Sequence, residues 1–265
     1  MLKSLLPEHW WPQLQHVHAD PREPPKDVDT LTFVQGDNGN TIAAFPVPNF
    51  YRLRRSKLRE LLSRELDIRY EKRLASVTYH DHPESVTAHF TDGTTATGSM
   101  LVGADGARST TRNTLLGPQL GAIDKIPYCA TFVECTFPKE QALFLRTFHP
   151  LYLAAAHPEN LFGFFSVQHI VDPEDPTTWV FKFYISWRST LEEQEATAHW
   201  TDAQRLSQQK ELAKKFCDPW KSAYEWTPDN TPVWYMGMTQ WDPGMEGHRW
   251  NSKFGVQPSS RELRL

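Results

Sequence analysis

One short segment constrains this chain more than any other: Leu101-Val102-Gly103-Ala104-Asp105-Gly106-Ala107-Arg108-Ser109, with Arg112 three residues on. The apolar run Met100-Leu101-Val102 meets two glycines and then a residue suited to capping a helix. The pattern reads as strand end, tight turn and helix start. A run without alternation suits a strand buried on both faces. Gly103 and Gly106 permit close backbone approach and left-handed φ, and Ser109 can cap the helix. Amides at a helix N-terminus attract phosphate. Asp105, at the carboxyl edge of a strand, can bond a ribose hydroxyl or water near a pyrophosphate. The competing reading is a plain strand–turn–helix whose glycines serve geometry alone.

The rest of the chain supplies a mixed α/β pattern. Thr30–Val34 and Thr41–Phe45 flank a Gly/Asn/Asp turn and predict a hairpin. Leu58, Leu61, Leu62 and Leu66 recur at helical spacing behind Ser56, the expected N-cap, with Arg55 just ahead of the helix's positive end. Residues 68–102 read as β-structure, with Val86, Ala88 and Phe90 alternating before the turn at Asp92-Gly93. A second β-rich block predicts strands at Tyr128–Phe137, Leu143–Phe148, Leu151–Ala156, Leu161–His169 and Trp179–Trp187. In the last, Trp179, Phe181, Phe183, Ile185 and Trp187 share one face, which makes a half-buried strand with an aromatic side. Thr201 and Gln204 form a capping box opening a helix to about Phe216, and Val233–Met238 predicts one more strand. The opening stretch Met1–Pro7 resembles a helix middle stopped by proline.

Composition narrows the function classes. The 265 residues carry a net charge of −4 and no basic stripe, which argues against nucleic acid as a partner. Three cysteines make neither a disulfide framework nor a zinc site. No apolar run approaches the roughly 18 residues of a membrane span. These features predict a reducing, cytoplasmic setting. Aromatic residues reach 12%, with ten Trp, enough for an aromatic core or a pocket for a flat ligand. His16-Val-His18-Ala-Asp20 looks like a metal-binding triplet, but prolines surround it and no strand precedes it; a solvated loop is the expectation.

The Gly103–Arg112 segment closely resembles the Asp-Gly motif of the class A FAD-dependent monooxygenases, the para-hydroxybenzoate hydroxylase-like family, in a fungal style. Upstream, Arg55-x-x-Leu58 resembles the family's Arg-x-x-Leu helix, whose arginine contacts FAD. The resemblance covers about residues 1–245. It implies FAD contacts at Arg55, Gly103, Asp105, Gly106 and Arg112, for which a turn-holding ion pair is the alternative at Arg112. It implies NAD(P)H as co-substrate: NAD(P)H reduces the flavin, and O2 then delivers one oxygen to a small substrate, aromatic or of secondary metabolism. No side-chain nucleophile is required, because the cofactor carries the hard chemistry.

The resemblance implies a partial Rossmann-like FAD-binding domain over residues 1–120, a β-sheet substrate domain over 121–225, and a return segment over 226–265. Two family motifs are missing from the sequence. No Gly-x-Gly-x-x-Gly precedes Arg55, and no Gly-Asp motif follows Trp241, after which Trp250–Leu265 diverges. The expectation is a chain truncated at both ends that holds FAD weakly by itself. A flavin dehydrogenase or reductase, and a non-enzymatic remnant of the family, remain the alternatives.

Overall fold

The computed structural model describes residues 6–24, 26–48 and 50–248. The sequence features at Met1–Leu5 and Trp250–Leu265 lie outside them. The chain forms two compact units, one built from residues up to 66 and from 127–238, the other from 67–126 and from 239 onward.

The first unit is organised by a seven-stranded mixed sheet. Its strands are β1 (Val28–Gln35), β2 (Thr41–Pro48), β6 (Asp124–Cys135), β7 (Tyr152–His157), β8 (Leu161–His169), β9 (Val180–Arg188) and β10 (Val233–Gln240). Their order is β10-β6-β9-β8-β7-β1-β2. β1 and β2 form the expected hairpin, and β1 joins the sheet in parallel with β7, Phe33 opposite Ala154. β6, β9, β8 and β7 pair antiparallel in turn.

Alternation along β9 divides the sheet into two faces. Phe181, Phe183 and Ile185 are fully buried. They pack with Val133, Phe165 and Val167 beneath α3 (Lys139–Phe148), α5 (Asp202–Ala213) and α6 (Trp220–Trp226), which contribute Leu145, Leu206, Trp220 and Tyr224. The intervening residues Lys182 and Tyr184 face the opposite way and are half-buried. α5 opens with the expected capping box, Thr201 and Gln204, and ends at Ala213. A short α4 (Leu191–Ala196) opens with a second box, Thr190 and Glu193.

Three local expectations are corrected. Leu143–Phe148 is not a strand but the end of α3. Ala142 and Leu145 are its buried pair, three residues apart, while Leu143, Phe144 and Phe148 stay exposed; Glu140 in the first turn and Arg146 in the last suit the helix dipole. Ser56 is not the cap of α1 (Arg55–Ser63): the helix starts at Arg55, two residues earlier than that cap implies, after an extended Arg54 that offers no side-chain cap. Of the four expected apolar positions on α1, only Leu61 is buried, against Trp10, Leu14 and Val17.

The His18–Asp20 stretch is also not a solvated loop. His18 and Asp20 are buried, and Asp20 accepts hydrogen bonds from Arg146 and from the Arg22 amide. Burial lowers the His18 imidazole pKa, leaving a neutral ring that accepts from the Arg52 amide and meets the Asp20 carbonyl. This knot ties the segment ahead of β1 to the segment ahead of α1. Among the described residues no cluster of His, Cys, Asp or Glu could hold a metal ion.

The second unit pairs an antiparallel meander, β3 (Leu74–Asp81), β4 (Glu84–Phe90) and β5 (Thr95–Gly98), with α2 (Thr110–Leu120). Val86 and Ala88 on β4 are buried, but so is Thr87 between them, and Phe90 is only half-buried, so the expected alternation does not hold along the strand. Met100–Val102 departs from expectation. The run is not a strand, and no strand pairs with it among the described residues; Met100 and Val102 are 65% and 58% exposed.

The two faces of β9 predict opposite responses to substitution. Phe183→Ala should lower stability by about 3–5 kcal/mol, whereas Lys182→Ala should cost under about 1 kcal/mol. Urea unfolding followed by tryptophan fluorescence measures both.

Candidate functional site

The Asp-Gly turn is built by two glycines with different duties. A Cβ on Gly103 would meet the Thr111 side chain at 2.6 Å, so Gly103 lets the chain pass against α2. Gly106 has φ +75°, with open space where a side chain would stand. The turn therefore presents bare backbone outward and close packing inward.

Asp105 fastens the turn to the helix. Its carboxylate accepts from the Ser109 hydroxyl, from the Thr111 amide at 3.0 Å and from the Thr111 hydroxyl at 3.3 Å. Ser109 caps α2 as expected, accepting from the Arg112 amide at 2.9 Å. Partial burial would raise the Asp105 pKa, but these hydrogen bonds outweigh it and hold the carboxyl below the usual range. Asp105 is anionic at neutral pH, and its oxygens serve the helix start first.

Arg112 is buried and turned inward. Nε donates to the Gly121 carbonyl at 2.9 Å, a terminal nitrogen donates to the Ala107 carbonyl at 2.6 Å, and the guanidinium lies 5.0 Å from the Trp241 ring centroid. It holds the turn, as the competing sequence reading allowed, through carbonyls and an aromatic face rather than an ion pair.

Arg55 is different. It is exposed at the first turn of α1, and no hydrogen bond or ion pair engages its guanidinium among the described residues. It lines a cavity of about 460 Å³ together with Arg54, Ser56, Arg59, Glu134, Gln168, His169 and Val180. Glu134 is paired with Lys182 at 2.9 Å, so the three arginines give the cavity a positive balance. Burial, reinforced by Arg54 and Lys57, depresses His169 to about 4, so this ring is neutral at neutral pH.

The cavity opens on the face of the sheet opposite the core under α3, α5 and α6, where Glu134, Val180 and Lys182 also point. A row of aromatic rings crosses that face. Centroids lie 5.4 Å apart for Trp234–Phe132, 4.6 Å for Phe132–Tyr184 and 5.6 Å for the stacked Phe164–Tyr184. Tyr152 continues the row beyond Phe164. Arg52 lies over Phe164, its guanidinium 5.6 Å from the centroid, and donates to Ser166 Oγ at 2.8 Å. Burial raises the Tyr184 phenol and pushes Tyr152 to about 12, so both are protonated donors at neutral pH.

Gly103, Asp105, Gly106 and Arg112 thus come together in the second unit, while Arg55 stands in the first, beside the cavity. Sequence reasoning missed Arg52 and the outer aromatic row. The signal was present in β9, where the positions between Phe181, Phe183 and Ile185 include Tyr184, but the strands that flank it could not be ordered from sequence.

No family model matches the chain. Individual relatives do. FAD-dependent monooxygenase phnB of Penicillium herquei is 32% identical over 225 residues, which cover 84% of this chain and 53% of that protein. FAD-dependent monooxygenase dbaB of Emericella nidulans is 31% identical over 251 residues, covering 91% of this chain and 62% of that one. Over most of its length the chain is similar to FAD-dependent monooxygenases. It spans little more than half to about three-fifths of the length of these relatives. The fold agrees: 2,6-dihydroxypyridine-3-hydroxylase from Arthrobacter nicotinovorans superposes with a TM-score of 0.61 at 15% identity, over 86% of this chain and 60% of that one. The mixed α/β architecture expected from sequence is shared with that hydroxylase.

Two outcomes test the turn. Ser109→Ala should cost about 0.5–2 kcal/mol through loss of the cap. Because the folded Asp105 pKa lies below its ordinary 3.8, the carboxylate's contribution is complete above that value and fades as pH falls through the lower folded pKa. Amide exchange at Thr111 should therefore stay slow in mildly acidic solution and quicken only below that range.

Proposed function

We propose that this chain is the part of an FAD-dependent monooxygenase that carries the Asp-Gly turn, the arginine helix and the substrate sheet. The observation that supports this most is the relatives' sequence likeness over 84% and 91% of the chain. In this reading, residues 1–120 supply cofactor contacts through Arg55 and through the turn of Gly103, Asp105, Gly106 and Arg112. Residues 121–225 supply the sheet on which a small substrate rests, and 226–265 return toward the cofactor side.

The residues present fit a phosphate-bearing cofactor. Arg55 is an unengaged cation in a positive cavity, and Gly106 leaves backbone open where a side chain would block it. Asp105 is an anion whose Oδ1 accepts from the Ser109 hydroxyl. A ribose hydroxyl could be received there and a pyrophosphate at Arg55. Arg112 contributes by fixing the turn. Bound FAD, with NAD(P)H and O2 as co-substrates, supplies the oxygen-transfer chemistry.

The chain's own residues do the rest. The aromatic row gives a flat substrate a surface of matching shape and polarisability. Tyr184, protonated at neutral pH, stands as a hydrogen-bond donor rather than a base, while the buried Tyr152 already donates to the Thr30 carbonyl at 3.3 Å. Stacking against Phe132 and Phe164 displaces water from the substrate's ring and fixes its plane, which is the positioning an oxygen transfer needs.

The test is made on the full-length protein. It should purify with visible flavin absorbance and couple NAD(P)H oxidation to hydroxylated product. Arg55→Ala or Asp105→Ala should weaken FAD retention or slow flavin reduction by about tenfold. Unchanged values of both in the Asp105 variant would remove that residue from the site. Oxidation of NAD(P)H without oxygen entering any product would favour a flavin reductase instead.

A further inference from the structure

Arg112 is buried, and the groups that engage its guanidinium are neutral: the Ala107 and Gly121 carbonyls and the Trp241 ring. A buried cation that has lost its water and has no anion beside it depends on each such contact. A ring face is worth most to a cation in that state. Two of the three contacts belong to the Asp-Gly turn and the end of α2. The third is brought from far along the chain, since Trp241 follows β10.

The segment that delivers this ring is fastened to α2 at both of its ends. Trp241 Nε1 donates to the Leu120 carbonyl at 2.9 Å. Gly247, at φ +81°, lies against Leu120, whose methyl group a Cβ there would meet at 3.3 Å. Between them Asp242 closes a turn. Its Oδ1 accepts from the Gly244 amide at 2.8 Å, and its carbonyl accepts from the Met245 amide at 3.4 Å and from His248 Nδ1. A carbonyl can only accept, so Nδ1 carries the proton. That bond holds the buried His248 ring nearly parallel to Trp241, with centroids 4.8 Å apart and planes 15° apart. Residues 241–248 thus form a clasp on α2, and the ring it carries lies beside Arg112. All of these groups belong to the second unit.

We propose that Trp241, steadied by His248, is a positioning residue for the Asp-Gly turn. Its ring keeps the Arg112 guanidinium where it bonds the Ala107 carbonyl, and Ala107 directly follows Gly106, whose open backbone is offered to the cofactor. Trp241 touches neither cofactor nor substrate; it acts through Arg112. The inference rests on the cofactor reading of the turn and deepens it, because it makes the shape of that turn depend on the segment after β10.

Two measurements on the full-length protein test this: amide exchange without FAD, and FAD affinity from flavin fluorescence. Trp241→Leu should quicken exchange at the Thr111 and Arg112 amides and weaken FAD binding, each by about tenfold, as loss of a desolvated cation–π contact implies. The β4–β5 pairing should exchange as in the parent. Trp241→Phe keeps a ring face and should recover part of both effects, and His248→Ala should show smaller effects in the same direction. In an Arg112→Met background Trp241→Leu should add nothing, because the path through the guanidinium is gone. A full Trp241→Leu effect in that background overturns the proposal. So does exchange that quickens equally at β4–β5, which would make Trp241 a plain core residue. If Trp241→Leu does not fold, the same two measurements on His248→Ala decide, and parent-like values of both overturn it. The exchange measurement needs no flavin, so the two readings separate. A turn that loosens in protein that binds no FAD in any form overturns the cofactor reading alone. FAD bound equally well by the parent and by Trp241→Leu overturns the positioning role alone.

Discussion

The architecture depends on strict alternation along one strand. In β9, Phe181, Phe183 and Ile185 go down into the helix-covered core and are fully buried, while Lys182 and Tyr184 go up. Burying each large side chain is worth about 1.5–3 kcal/mol, and a slip of one residue would turn every one of them to the wrong face. That penalty fixes the register with β6 and β8. The register in turn brings Phe132, Tyr184 and Phe164 side by side on the upper face. The core thus pins the platform: residues that never touch a ligand decide where the aromatic row lies.

A second constraint operates at the Asp-Gly turn. Asp105 binds the first turn of α2, Ser109 caps it, and Arg112 reaches back to the Ala107 and Gly121 carbonyls. Asp105, Ser109 and Arg112 are thus all engaged internally. A turn that must present backbone amides to an anion has to be rigid without any ligand, because each residue left loose adds an ordering cost of about 1–2 kcal/mol on binding. Side chains hold the shape of the motif, while the bare backbone at Gly106 faces open space.

Local pattern was legible where it sufficed. The β1–β2 hairpin, β8, β9 and the Thr201 capping box lie close to where alternation and capping chemistry put them. Sequence failed where context decides. Leu143–Phe148 is apolar enough for a strand, yet burial of Ala142 and Leu145 makes it a helix. Met100–Val102 reads as a strand buried on both faces, but no described strand pairs with it. His18 and Asp20 lie among prolines, which suggests solvent, and their burial comes from Arg146 and Arg52, more than 30 residues distant in each case. Of the site residues, Arg55 and the turn stood out through their motifs. Arg52 did not, since nothing local marks one arginine among Arg52, Arg54, Arg55 and Arg59 as the one that lies over an aromatic ring.

The central claim is a division of labour, cofactor at the Asp-Gly turn and Arg55, aromatic ligand on the outer sheet face. Hydrogen exchange on the full-length protein, with and without FAD, tests it most directly. The account predicts that FAD slows exchange at residues 103–112 and at the start of α1, and leaves the β8–β9 pairing as it was. Exchange unchanged at both the turn and α1 in protein that has taken up FAD would contradict it.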